Sequence, residues 1–446
     1  MKILYGKILC LLILAFGLTS CMTDSSTLYP SDEYPDKDDL KKTNLPIVYV
    51  QTSDNKEIDT RKVWKQASLT IDGKFCGYED LSIDDLLIKG RGNTSWSLTK
   101  RPYSIKLNSK TKILGMKEDK HWVLIGNMSD KTLLRNYYTS YLGNEIYNSV
   151  WNPSFRSVHL IINGTYRGVY LLGEKITIAE NRVDIGDISK KGSGNGGFIL
   201  EVNHRLDELF NFTTNQGVPI SLKDPDEVSL STQKEITSIV QSAEDALFSD
   251  NFSSQQDGWR KYLDENSIID WFIVNEFTKN NDAVFHTSVF LYYNPATEKL
   301  YLGPNWDYDI SCGNINHNDN NNPNGWWITN APWVSRLIKD SLFVENLNRR
   351  WDSSKSKVYY SINTWIPAQA TSLENAANIN FKKWKILGEY SWPNTNGFEE
   401  RTTYQSEIKY LIDWLNTRYV FFDTALDDLV NKFHMQQHMK QDVLYR

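Results

Sequence analysis

The chain has little cysteine, little histidine, no surplus of positive charge and, beyond its N-terminus, no apolar run long enough to span a bilayer. Each scarcity removes a class of protein. Four cysteines in 446 residues do not make a disulfide framework, and past Cys21 only Cys76 and Cys312 remain. The seven histidines show no metal-ligand spacing, so His121, His159, His286 and His317 read as structural side chains. A formal charge of −6 argues against nucleic acid as a partner. There is no Gly-x-x-x-x-Gly-Lys-Ser/Thr, no Gly-x-Ser-x-Gly and no His-Glu-x-x-His, which excludes a Walker loop, a nucleophile elbow and a zincin helix.

What is present begins as an export signal. Lys2 and Lys7 precede an apolar stretch from Ile8 to Leu18, and the segment closes on Leu18-Thr19-Ser20-Cys21. That order resembles the bacterial lipobox, in which the cysteine is acylated and becomes the first residue. Residues 1–20 are therefore expected to be a signal peptide. Cys21 is expected to carry lipid, holding the protein on a membrane of the cell envelope, outside the cytoplasm. Loss of Lys2 and Lys7 takes the formal charge from −6 to −8. Residues 21–44 are polar and acidic and read as a flexible tether, leaving 45–446 as one domain.

Strand signals crowd the first half of that domain. Leu45–Val50, Ala67–Ile71, Leu86–Ile88 and Arg101–Leu107 are apolar or alternating, and Phe155–Ile162 and Tyr166–Leu172 flank Asn163-Gly164, a type I′ hairpin signal. Ser129 is expected to cap a helix to about Asn148. A Gly-rich loop, Gly192–Gly197, precedes a strand over Phe198–Val202. Helices are expected over 231–248, from Asn266 to Lys279, and from Pro332 onward, with strands Val284–Tyr293 and Leu300–Leu302 between them. Residues 314–325, almost all Asn, Asp, Gly and Pro, read as a loop. Strands first and helices later make the fold class α+β, in two lobes.

Two constellations carry chemistry. In the first, Asn280-Asn281-Asp282 follows a helix, and Gly303-Pro-Asn-Trp-Asp307-Tyr-Asp309 follows a strand. Their hard oxygen donors suit Mg²⁺, Mn²⁺ or Ca²⁺ rather than zinc. Of Asp307 and Asp309, one is expected to ligate a cation and the other to brace the loop. The bland reading, aspartates forming Asx turns, stands beside this one. In the second, Lys89-Gly90-Arg91-Gly92-Asn93 leads to Arg101–Lys106, with glycines that let backbone N–H groups approach a phosphate. Lys106 alternates with Ile105 and Leu107, so it faces solvent or a cleft.

The set, in order, resembles the CotH kinase family, named for spore coat protein H. It comprises Gly90-Arg-Gly-Asn-Thr-Ser-Trp96, Arg101-Pro-Tyr-Ser-Ile-Lys106, Asp130 with Leu134-Arg135-Asn136, and Asn163-Gly-Thr-Tyr-Arg-Gly-Val-Tyr-Leu-Leu-Gly-Glu174, then Gly197-Phe-Ile-Leu-Glu201, Asn280-Asn-Asp282 and Gly303-Pro-Asn-Trp-Asp307. The resemblance implies a divergent, bilobed protein-kinase-like fold that binds ATP with Mg²⁺ or Mn²⁺ and phosphorylates protein Ser/Thr. It makes Asp282 the catalytic base, Asp307 and then Asp309 metal ligands, and Lys106 the phosphate lysine beside Gly90 and Gly92. Glu145 becomes a partner for Lys106 and Glu174 a lining residue of the nucleotide cleft. One position departs. Five residues after Asp282, where kinases carry a metal-holding Asn, stand Thr287 and then Ser288; the same spacing between Asp270 and Asn275, inside an apolar helix, reads as coincidence.

Two other functions fit the same residues. A surface binding module for protein or glycan would use the abundant aromatics, with Trp326-Trp327 as a platform, and would need no ATP outside the cytoplasm. A glycoside hydrolase would pair Asp282 with Asp307 but leaves Lys106 and the glycine loop unexplained.

Overall fold

Alternation of apolar and polar residues organises the first half of the chain, as the computed structural model of residues 35–191 and 195–444 shows. The signal peptide, Cys21 and the start of the tether lie outside these described residues, as does the tip of the Gly192–Gly197 loop. Strands β1 (Ile47–Thr52), β2 (Lys65–Asp72), β3 (Leu81–Gly90), β4 (Tyr103–Ile113), β5 (Met116–Ile125), β6 (Phe155–Ile162) and β7 (Thr165–Glu174) form a closed barrel in the order β1-β2-β3-β4-β5-β7-β6. Parallel pairing of β6 with β1, which sets Ile47 beside His159, shuts it. Alternate residues point inward, and Val48, Val50, Leu69, Leu86, Ile105 and Leu160 meet in one buried cluster. Each such burial contributes about 1.5–3 kcal/mol, so the interior is a packed core.

The strand-rich first half is as expected, and its closure into a barrel is a feature that the expectations did not include. The expectations also lack β5, whose charged positions interrupt any apolar signal. The Asn163-Gly164 turn is as expected, with positive φ at both residues, 49° and 76°.

The expected tether is ordered over its described part. Asp36 caps a short helix, Lys37–Lys41, whose Leu40 is buried and whose two lysines each lie 3.1 Å from Asp72. Thr43 Oγ1 donates to the Leu40 carbonyl at 2.7 Å, so it accepts from His159 Nε2 at 2.8 Å. The Tyr166 hydroxyl then donates to Nδ1 at 2.9 Å. Burial, helped by the charge of Lys100, pushes this imidazole down to about 3. The folded state therefore holds fewer protons than the unfolded chain between pH 6.5 and 3. Stability from His159 is fully present above pH 6.5 and is lost as pH falls toward 3, at up to about 1.4 kcal/mol per pH unit. Urea midpoints from pH 7 to 4 should fall less steeply in His159→Gln than in the wild type, and parallel curves would refute this.

A second, five-stranded sheet has the order β12-β11-β8-β10-β9. It contains β8 (Phe198–Val202), β9 (Asn211–Thr213), β10 (Pro219–Asp224), β11 (Val289–Asn294) and β12 (Lys299–Leu302), all antiparallel. β8 is buried on both faces. β11 begins later than expected because residues 284–288 turn through left-handed Phe285 and Ser288, φ 65° and 58°.

Helices dominate the remainder. Ser229 caps Leu230–Phe248 and Asp264, not Asn266, caps Glu265–Phe277. The helix expected from Ser129 starts at Arg135, after a turn around Asp130 with left-handed Leu133. Ser341–Tyr360 and Tyr404–Leu444 pack on each other and on Glu265–Phe277, and Ile366–Lys383 lies between Tyr404–Leu444 and β7. Cys76 and Cys312 are free thiols. Among the described residues no helix is long and apolar enough to cross a membrane.

Candidate active site

A cleft of about 880 Å³ opens between the loop that follows β3 and the segments after β8, after the 265–277 helix and after β12. Arg91, Lys175, Asp282, Ser288, Asp307 and Asp309 all line it.

The loop is shaped by its neighbours. A Cβ on Gly90 would lie 2.2 Å from the Trp96 ring, so glycine lets that ring close over the strand end. Gly92 takes φ 79°, which turns the chain back over the cleft. Arg61 donates to the Gly92 carbonyl and to Asn93 Oδ1, both at 2.6 Å. Between the glycines Arg91 stacks on Trp306, with 5.0 Å from guanidinium to ring centroid.

Asp307 and Asp309 do not lie on an extended strand. Asp307 is left-handed, φ 68°, and the chain from Gly303 to Tyr308 is not strand. Both carboxylates line the same cleft. Asn136 Oδ1 accepts the Tyr308 N–H at 2.8 Å, and Arg135 donates to the Ser311 and Cys312 carbonyls at 3.0 and 3.3 Å. Asp130, fully buried, holds Arg135 at 2.7 Å. The motif Asp130…Arg135-Asn136 is thus the brace of the acidic segment. Asp282 sits in a single turn after the helix, where Asn281 Nδ2 donates to its Oδ1 at 3.2 Å.

Among the described residues none of Asp282, Asp307 and Asp309 forms an ion pair. Burial pushes all three carboxyls up, and neighbouring charge adds to this: Asp282 acts on Asp307, and Asp307, Asp130 and Asp282 act on Asp309. Asp307 is exposed toward the cleft, so water there moderates the rise that the surrounding protein gives its carboxyl. Lys175 is similar: burial lowers its ammonium, opposed by Asp224 and Asp226. These carboxylates suit a hard divalent cation. Among the described residues no three acidic, His or Cys groups converge to hold an ion unaided.

Other predicted positions lie elsewhere. Lys106 is exposed on the outer face of β4 and does not line the cleft, although Ser104, two residues earlier, does. Glu145 is exposed in the helical turn Leu142–Ile146, away from the cleft. Glu174 is buried, paired with Arg182 at 2.9 Å and accepting the Ser154 N–H at 2.9 Å. Asp270 pairs with Arg350 at 2.7 Å, and Asn275 Oδ1 lies 2.9 Å from the Tyr308 hydroxyl, so their five-residue spacing is structural. Thr287 is taken up by Arg205 at 2.8 Å, whereas Ser288 Oγ donates to Asp307 Oδ2 at 3.2 Å. Trp326 packs on Phe272, Phe421 and Phe422, which removes half of the expected aromatic platform. Lys175 escaped notice because nothing in the sequence says which end of the β6–β7 hairpin meets the acidic loops.

The chain matches the family described as CotH kinase protein over residues 88–422. It belongs to the CotH family. No curated protein matches it. The CotH match starts within β3 and ends in the last helix, so it takes in the glycine loop, Asp282, Asp307 and Asp309, and leaves out β1 and β2.

Proposed function

We propose that the cleft binds ATP with Mg²⁺ or Mn²⁺ and phosphorylates a serine or threonine of a protein. The supporting observation is that three carboxylates and two cations, Arg91 and Lys175, share one cleft without an ion pair among the described residues. Unmatched charges in a cleft destabilise a fold, and a ligand that completes them offsets this. Membership of the CotH family supports the same reading at the level of kinase-like function.

Arg91 and Lys175 would meet the phosphates, Arg91 from its place over the Trp306 ring. Asp307 and Asp309 would hold the cation, which neutralises phosphate charge. Asp282 would take the acceptor proton on Oδ2, since Asn281 occupies Oδ1. The raised basicity of its half-buried carboxylate favours that transfer.

ATP together with Mn²⁺ or Mg²⁺ should raise the melting temperature of the wild type and leave Asp307→Ala unchanged. Lys175→Met should weaken nucleotide binding about tenfold or more, and Lys106→Met should not. Transfer of label from ATP to a generic protein acceptor should drop roughly 10²–10⁴-fold in Asp282→Ala. Absent transfer, or transfer that survives Asp282→Ala, rejects the kinase reading. Protein or glycan binding untouched by Asp307→Ala would then favour a surface binding module.

A further inference from the structure

We infer that Lys279 is a positioning residue for Asp282, acting through the Asn-rich loop and the amide of Asn281. The inference rests on the reading of Asp282 as the acceptor-side base.

The geometry runs through one chain of contacts. Lys279 is buried, and its ammonium donates to the carbonyls of Asp319, Asn322 and Asn324 at 3.0, 2.9 and 2.8 Å. Among the described residues it has no carboxylate partner, so three carbonyls of one loop hold it. Asn318 and Asn320 flank the first of those carbonyls. Both donate their Nδ2 to Asn281 Oδ1, at 2.9 and 3.1 Å. With two donors on its oxygen, the Asn281 amide has one satisfied orientation, and its Nδ2 faces Asp282 Oδ1 at 3.2 Å. Reversal would set N–H against N–H and oxygen against carboxylate. The Trp327 indole, donating to the Asn281 carbonyl at 3.1 Å, fixes the backbone of the same residue. A segment that composition marks as loose is therefore a fixed wall of the cleft, tied to the base by directed hydrogen bonds. A loop with no such role needs neither a buried ammonium at its centre nor paired amides on the residue beside Asp282.

Lys279→Met and Asn281→Leu should each lower kcat for transfer about tenfold with the KM for ATP unchanged, and together they should do no more than either alone. Lys279→Arg should recover most of the rate. Cleavage before Asp319 by an Asp-specific protease should be faster in Lys279→Met. If Lys279→Met does not fold, Asn318→Ala carries the same kinetic test. Multiplying effects, or a loosened loop with kcat unchanged, would overturn the inference. If the wild type transfers no phosphate, the kinase reading fails on its own, and urea unfolding of Lys279→Met, Asp282→Asn and their double variant decides the coupling. Non-additive midpoints support the link and additive ones refute it.

Discussion

Replacing Asp307 by Asn should abolish transfer and at the same time raise the urea midpoint. The Asp307 carboxyl is pushed up by burial and then by the charge of Asp282, against the pull of Arg91 and of the Ser288 hydroxyl. A carboxyl raised in the folded state stabilises when protonated, and that contribution disappears as pH rises through its folded value. At neutral pH its ionised form opposes folding. Asparagine has nearly the same shape and can accept from Ser288, while removing the repulsion. The gain should be about 1 kcal/mol once screening by water in the cleft is allowed for. Activity should fall roughly 10²–10³-fold or more, because a charge poised for the reaction is gone. A lower midpoint in Asp307→Asn would mean that the carboxylate belongs to the structural network instead.

The opposite outcome is expected of Arg418→Met. Arg418 and Glu276 are both fully buried and lie 2.6 Å apart. Arg418 also donates to the Pro323 and Gly325 carbonyls at 2.8 and 2.7 Å, and Glu276 accepts the N–H groups of Trp327 and Ile328 at 2.9 and 2.7 Å. Removing the arginine leaves a carboxylate without its counter-charge and should destabilise the fold by about 3–5 kcal/mol. Burial already pushes the Glu276 carboxyl up, and loss of Arg418 pushes it further. The variant can relieve its deficit by protonating Glu276, so the deficit should be smaller at pH 5 than at pH 8. Adding Glu276→Gln should recover part of it. Urea unfolding at the two pH values measures both, and a loss below about 1 kcal/mol would contradict the account.

These two variants separate what is legible in the sequence from what is not. Turn chemistry and alternation are local, so Asn163-Gly164, the start of the 230–248 helix and the inward faces of β1 to β4 follow from residues a few positions apart. The motif set identifies the CotH family for the same reason, since each motif is a short run. Closure of the barrel depends on β6 meeting β1, more than a hundred residues earlier, and no local signal encodes that pairing. The 314–325 segment shows the limit of composition. Its residues spell a loop, and a loop it is, but buried Lys279 and Arg418 from distant elements make it rigid.

The acidic segment is the sharpest case. By itself the sequence determined which carboxylates to watch, because Asp282, Asp307 and Asp309 stand in runs whose residue types suit charge and metal chemistry. Tertiary structure alone decided that Asp307 and Asp309 share one cleft with Asp282, on a segment held by Asn136 at Tyr308 and by Arg135 at Ser311 and Cys312. It alone set Arg91 and Lys175 in that cleft and Lys106 on the outer face of β4. Alternation tells which side of a strand a residue takes, and the meeting of the loop after β3 with the segments after β8 and β12 determines which of those sides becomes a cleft.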